Sequence, residues 1–226
     1  MKNDRIYTRD EPMVGRLSAI VTLPAGFAPG RDEKLPVIVF LHGAGEAGDG
    51  GEFAIQRVRV HGIPKYFGCD ADYLGLRCLT VSPQCPPGLI WDNITLQLKD
   101  FIDAAVAEFG GDPERVAITG LSMGGFGSWN LLVTYPEAFC RAAPICGGGV
   151  AWRIDKRLKG KSIRVFHAVD DDAVPYEYTV LMAKRATAAG ADVRVTTYCG
   201  EGHGCWERAY EETDLIEWLV NGDPAE

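Results

Sequence analysis

A serine stands between two glycines near the middle of the chain, in the segment Gly120-Leu121-Ser122-Met123-Gly124. Residues 115–119 before it predict a short buried strand, and residues 123–134 after it predict a helix. A serine at a strand-to-helix turn, with glycine two residues before and two after, is the nucleophile-elbow pattern. The turn is sharp and strained, so the flanking positions must lack bulk and the hydroxyl is held above the end of a sheet.

Strand and helix signals alternate along most of the chain. The predicted strands cover residues 17–23, 37–41, 77–82, 116–119, 141–145, 163–169 and 193–198. The predicted helices cover residues 94–109 after an N-cap at Asp92, then 123–134, 176–189 and 206–220. This rhythm predicts an α/β fold with a mostly parallel, doubly wound sheet and helices on both faces. No internal repeat or linker divides the chain, so residues 1–226 are predicted to form one domain.

Composition and charge restrict the partners. The chain has 226 residues, of which 46% are hydrophobic and 24% charged, with a formal net charge of -8. A negative chain is a poor match for nucleic acid or for an anionic membrane surface. No apolar run approaches the roughly 20 residues that span a bilayer, and the polar start Met1-Lys2-Asn3-Asp4-Arg5 lacks an apolar signal core. We therefore expect a cytoplasmic protein without membrane contact, unless a leader has been trimmed. The oligomeric state is left open.

The seven cysteines predict free thiols rather than a disulfide framework. Their number is odd and no C-x-x-C pair occurs, although a pair such as Cys69 and Cys78 stays possible. Histidines and cysteines do not cluster at the spacing of metal ligands, so no metal is expected. Neither G-x-G-x-x-G nor G-x-x-x-x-G-K-[ST] occurs, so no nucleotide cofactor is expected.

A serine nucleophile needs a histidine base, and the histidine needs a carboxylate that orients it. In folds with a nucleophile elbow, the acid and then the histidine follow the serine along the chain. Only His167 and His203 follow Ser122. His203 lies in the loop after the strand 193–198, where ligands gather in open α/β sheets, and is the predicted base. His167 lies inside an apolar strand and is interpreted as structural.

The acid and the oxyanion hole are predicted from two other strand ends. Asp170-Asp171-Asp172 follow the strand 163–169, and chemistry alone does not separate the three carboxylates. An oxyanion hole needs two backbone N–H groups. One is expected from Met123, directly after the serine. The second is expected from Ala44 in the small-residue loop His42-Gly43-Ala44-Gly45, with His42 packing that loop.

Together these segments resemble the α/β-hydrolase superfamily over nearly the whole chain, from Leu35 to Trp218. Within it they resemble small lidless serine esterases, which include the phospholipase/carboxylesterase group, the "predicted peptidase" proteins, and feruloyl and acetyl-xylan esterases. The family pattern D-x-x-V-P, laid on residues 170–175, implies Asp171 as the acid with Asp170 as the fallback. Ala168 replaces the glycine usual in that family. Dienelactone hydrolases use cysteine where this chain has Ser122.

The resemblance implies a serine carboxylic-ester hydrolase without a cofactor, and the connection 147–161 is too short for a lid domain. The expected substrate of such a hydrolase is a short-chain, aryl or sugar-linked ester, including an ester carried on a polysaccharide. Gln84 and Trp91 fall in a segment that borders the active site in these esterases. Trp206 and Trp152 could also line the cleft, or each tryptophan could belong to the core or rim. The alternatives are an acyl thioesterase or lysophospholipase, a peptidase, and a catalytically silent binding protein.

Overall fold

The computed structural model describes residues 3–30 and 32–223. A sheet of eight strands crosses it in the order β1-β2-β4-β3-β5-β6-β7-β8. The strands are β1 (Asp4–Glu11), β2 (Gly15–Thr22), β3 (Leu35–Leu41), β4 (Leu79–Gln84), β5 (Gly111–Leu121), β6 (Arg141–Ile145), β7 (Ser162–Ala168) and β8 (Asp192–Tyr198). The edge strand β1 pairs antiparallel with β2, β2 pairs antiparallel with β4, and all other neighbours are parallel. The predicted, mostly parallel sheet is confirmed.

Helices cover both faces of the sheet. They are α1 (Ile63–Phe67), α2 (Thr95–Glu108), α3 (Met123–Thr134), α4 (Glu177–Ala188), α5 (Trp206–Glu211) and α6 (Leu215–Asn221). One core cluster joins the sheet to α2, α3 and α4, and a second joins it to α1, α5 and α6. In β3, Val39 points into the first cluster and Phe40 into the second. Burial on both faces explains why this strand is a continuous apolar run.

Three local elements differ from the sequence prediction. The strand β1 was not predicted, because an edge strand with polar side chains lacks the apolar run of a buried strand. The predicted N-cap Asp92 is wrong, since this residue lies inside a 3-10 turn, Trp91–Ile94, that precedes α2. The predicted helix 206–220 is two helices. Thr213 separates them, because its hydroxyl donates to the Ala209 carbonyl at 2.6 Å and accepts from Leu215 N at 3.1 Å.

The carboxyl ends of the parallel strands lie along one edge of the sheet, where open α/β folds place their ligands. The loops that follow β3, β5, β7 and β8 carry all the residues predicted for catalysis. Within residues 3–30 and 32–223, every helix is too short or too polar to cross a bilayer.

Candidate active site

Ser122 occupies the sharp turn between β5 and α3. Its backbone has φ 53° and ψ -119°, a conformation that residues other than glycine rarely adopt. The flanking glycines are required by close packing. A Cβ at Gly120 would lie 2.5 Å from the Gly124 carbonyl oxygen, and a Cβ at Gly124 would overlap the Leu41 carbonyl of β3. The Ser122 amide donates to the Ile145 carbonyl at 3.0 Å, which holds the turn against the end of β6.

A chain of hydrogen bonds links Ser122 to a histidine and a carboxylate. The hydroxyl Oγ lies 2.8 Å from His203 Nε2, and His203 Nδ1 lies 2.7 Å from Asp171 Oδ2. Because a carboxylate only accepts, Nδ1 carries the proton and Nε2 is free to accept from the serine hydroxyl. The ring is therefore held in the tautomer that a general base for Ser122 requires.

The Asp171 carboxylate is buried and fully engaged. Its Oδ1 accepts from the backbone amides of Ala173 at 2.9 Å and Val174 at 2.8 Å. Burial raises the pKa of Asp171, but hydrogen bonds from His203 and from these two amides outweigh it, so the pKa lies below its ordinary value. The carboxylate therefore stays ionised at neutral pH.

The neighbouring Asp170 has a different position. Its carboxylate accepts from the amides of Gly200 at 3.0 Å and Gly202 at 3.2 Å, in the loop that carries His203. These amides lower the pKa of Asp170 below its ordinary value, the Gly202 amide most of all. The geometry therefore brings Asp171, rather than Asp170, to His203, while Asp170 holds the His203 loop to the end of β7.

Two backbone N–H groups border the serine. Ala44 begins a 3-10 turn, Ala44–Glu46, in the loop after β3, and Met123 is the first residue of α3. Among the described residues, neither N–H donates to another protein group. Both are thus available as donors, Met123 directly after Ser122 in the chain and Ala44 in the loop that follows β3.

His42 anchors the loop that carries Ala44. Its side chain is fully buried, and its Nε2 accepts from the Cys85 amide at 2.9 Å. Nε2 must therefore be unprotonated, and Nδ1–H donates to the carbonyl of Gly43. Burial lowers the pKa of His42 to about 4, so the ring is neutral at physiological pH. Because backbone groups engage both of its ring nitrogens, His42 fixes the backbone around Ala44 and has no free nitrogen to serve as a second base.

Gln84 and Trp91, predicted as substrate contacts, support this loop from behind instead. Each is 1% exposed, so neither side chain reaches the cleft. The Trp91 indole donates to the His42 carbonyl at 3.0 Å. The Gln84 amide donates to the Glu46 carbonyl at 2.8 Å and the Ala54 carbonyl at 2.7 Å, and it accepts from Gly50 N at 3.0 Å. The expectation is corrected: both residues brace the loop, because their polar groups are satisfied by its backbone.

Trp206 lies next to the histidine, partly exposed. Its ring packs edge-on against His203, with centroids 5.6 Å apart, and against His61 at 5.4 Å. His61 Nδ1 lies 3.0 Å from Glu207 Oε1. His61 was not predicted near the site, since it precedes Ser122 by 61 positions and belongs to no motif. Trp152 is 79% exposed on the Ala151–Arg153 turn.

A buried cysteine beside the serine was also not predicted. Cys146 follows β6 with φ 39°, and its Sγ lies 3.3 Å from the Ser122 amide. Burial raises the pKa of this thiol well above its ordinary value, with a smaller contribution from Cys205.

Among the described residues, one group of three side chains has metal-ligand atoms within 4.8 Å of one another: Cys146, Asp171 and His203. The hydrogen bond between Asp171 and His203 explains why two of these three ligand atoms lie close together. All seven cysteines are free.

Comparisons with known proteins identify a family for this chain and neighbours for its fold. The model of the Esterase family, described as "Putative esterase", matches residues 11–219. A thermostable esterase structure superimposes with a TM-score of 0.78 at 32% identity, over 96% of this chain and 62% of that chain.

Other solved structures share the fold, and one curated protein matches a short segment. Thermogutta terrifontis esterase 2, phosphorylated by paraoxon, has a TM-score of 0.71 at 16% identity, over 100% of this chain and 97% of that chain. The feruloyl esterase module from Clostridium thermocellum, complexed with sinapinate, has a TM-score of 0.73 at 14% identity, over 100% of this chain and 91% of that chain. Poly(3-hydroxyalkanoate) depolymerase C of Paucimonas lemoignei is 45% identical over 53 residues, which are 24% of this chain and 13% of that protein. The chain thus spans 62% of the thermostable esterase and 13% of the depolymerase.

Proposed function

Because the chain belongs to the Esterase family, we propose that it hydrolyses carboxylic esters with Ser122 as the nucleophile. The observation that carries the proposal is the continuous chain of hydrogen bonds from Ser122 through His203 to Asp171. A serine hydroxyl is a weak nucleophile, and an oriented imidazole that accepts its proton makes it reactive. The strained backbone of Ser122 aims the hydroxyl at that imidazole.

The proposed reaction has two halves. Ser122 Oγ attacks the ester carbonyl while His203 Nε2 takes the hydroxyl proton, and the N–H groups of Ala44 and Met123 bind the oxyanion. The tetrahedral intermediate collapses, and His203 gives the proton to the leaving alcohol. Water then attacks the acyl-enzyme with His203 again as base, which releases the acid and restores Ser122. Asp171 stabilises the imidazolium in both halves.

The substrate class we propose is a short-chain or aryl ester, including esters of sugars. Two features support it. The connection between β6 and β7 holds two short 3-10 turns, Ala151–Arg153 and Lys156–Leu158, rather than a lid domain. The partly exposed Trp206 ring beside His203 offers a flat apolar wall to the leaving group. The sinapinate complex of the feruloyl esterase module, a structural neighbour, is consistent with an aryl ligand.

The first test is the initial rate on p-nitrophenyl acetate, butyrate and octanoate, with Ser122→Ala alongside. We expect turnover of the short esters, and a loss in kcat of about 10⁴- to 10⁶-fold in the variant. Equal rates for the two proteins would reject Ser122 as the nucleophile. A rate that rises steeply toward octanoate would reject the short-chain assignment and favour a thioesterase or lysophospholipase.

A second test uses two adjacent acids with the same substitution. Asp171→Asn places an amide against His203 Nδ1, which favours the wrong tautomer and should lower kcat by about 10⁴-fold. Asp170→Asn keeps an acceptor for one of the Gly200 and Gly202 amides and does not touch His203, so a loss of no more than about tenfold is expected. The reverse order of the two variants would assign the triad acid to Asp170.

A further inference from the structure

The carboxylate of Asp171 receives a second imidazole in addition to His203. His167, on β7, places its Nε2 3.1 Å from the same oxygen, Oδ2, that His203 Nδ1 approaches at 2.7 Å. The His167 side chain is fully buried, as is that of Asp171. With the amides of Ala173 and Val174 on Oδ1, the carboxylate has four hydrogen-bond partners.

The surroundings of His167 determine where its proton lies. Nε2 faces two acceptors, Asp171 Oδ2 and the Val174 carbonyl at 3.0 Å, so Nε2 must carry a proton. Nδ1 lies 2.8 Å from the hydroxyl of Thr179 on α4. The other acceptor near that hydroxyl, the Gly147 carbonyl, is 3.4 Å away, so the hydroxyl donates to Nδ1. Thr179 therefore holds the ring in the tautomer whose Nε2–H points at Asp171.

We propose that His167 is a positioning residue for the triad, which acts through Asp171 and does not touch the substrate. Its Nε2–H holds Oδ2 in the orientation in which that oxygen accepts from His203. This second hydrogen bond also stabilises part of the negative charge on Oδ2, which would otherwise interact with His203 alone. This inference rests on the proposed function, because it assigns His167 a role only if Asp171 orients the catalytic base.

The titratable groups around this pair are few and come from four elements. His203 and Cys205 lie in the loop after β8, Cys146 follows β6, and the Tyr176 ring precedes α4 at 5.7 Å from His167. The adjacent carboxylate of Asp170 is turned toward Gly200 and Gly202, and that of Asp172 is exposed. Removal of the His167 donor would therefore act first on the Asp171–His203 pair.

Loss of the His167 donor should shift the pH dependence of kcat/KM in one direction. Without the His167 donor, Asp171 is more basic and stabilises the protonated form of His203 more strongly. The acid limb of kcat/KM, where the base must lose its proton, should then move to higher pH. The carboxylate also loses an orienting bond, which lowers the rate at every pH.

The experiment compares His167→Leu, His167→Gln and Thr179→Val on p-nitrophenyl acetate, with rates expressed per active site titrated by a fluorophosphonate probe. His167→Leu should lower kcat/KM by about 10- to 100-fold, by analogy with the loss of an outer hydrogen-bond partner of a metal-binding residue, and should move the acid limb of the pH profile to higher pH. His167→Gln should recover much of the rate, because the glutamine amide can donate from the position of Nε2. Thr179→Val removes the hydroxyl that orients the His167 ring at Nδ1, so its rate should fall between the rates of the two His167 variants.

A purely structural role for His167 gives a different pattern. It would lower the melting temperature and the titratable fraction, but leave the rate per titrated site and the pH profile unchanged, and this result for His167→Leu would overturn the proposal. If His167→Leu does not fold, an unchanged rate per site in Thr179→Val would overturn it instead. Activity in Ser122→Ala would reject the proposed function itself, whereas an inactive Ser122→Ala with a normal His167→Leu would reject only this inference.

Discussion

The neutral, buried His42 should make the stability of this protein depend on pH. Its ring lies under the loop that carries Ala44, and its Nε2 accepts from the Cys85 amide. If Nε2 carried a proton, its N–H would point at the N–H of Cys85, and no water could reach the buried site to accept from either donor. Burial therefore lowers the pKa of His42 to about 4 in the folded protein, from 6.5 in a solvated chain.

The size and sign of the effect follow from linkage. Because the folded pKa is the lower one, the unfolded chain binds the proton first, and stability falls as the pH drops from 6.5 toward 4. At pH 8 neither state is protonated at this residue. At pH 5 the His42 ring is almost fully protonated in the unfolded state and hardly at all in the folded state. The difference lowers the free energy of unfolding by about 2 kcal/mol.

The assay is urea unfolding followed by tryptophan fluorescence at pH 8, 6.5 and 5, for the wild type and His42→Gln. Glutamine does not titrate, and its side-chain oxygen can accept from the Cys85 amide. All other pH-dependent groups are common to both proteins, so the wild type should lose about 2 kcal/mol more than the variant between pH 8 and pH 5. Equal losses, or an NMR titration of the His42 ring near pH 6.5, would refute the reasoning.

Two further predictions concern packing around the site. Gly124→Ala places a methyl group on the Leu41 carbonyl and should cost at least about 3 kcal/mol, a fall of some 6–12 °C in Tm, as measured by calorimetry. Gly45→Ala, which meets nothing within 4 Å, is the control and should change Tm little. Trp91→Phe removes the donor to the buried His42 carbonyl and should cost about 1–3 kcal/mol in urea unfolding, with KM for p-nitrophenyl acetate unchanged. A large rise in KM in that variant would return Trp91 to the cleft.

The sequence by itself determined the fold class and the order of the catalytic candidates. The strand–Gly-x-Ser-x-Gly–helix segment is diagnostic because the steric demand on Gly120 and Gly124 is local to the turn. The alternation of buried strands and amphipathic helices likewise follows from neighbouring residues, and α3 and β6 have the predicted bounds. The position of His203 after β8 follows from the same alternation, since the end of each parallel strand falls on one edge.

Only the tertiary structure decided which polar groups meet. Asp170 and Asp171 are chemically identical neighbours, and their roles differ because one faces His203 and the other faces the amides of the following loop. His167 looked structural within an apolar strand, yet its Nε2 reaches the carboxylate of Asp171. Gln84 and Trp91 border the site in the chain but lie beneath its backbone. Such pairings depend on side-chain direction across strands distant in sequence, and no local pattern encodes that direction.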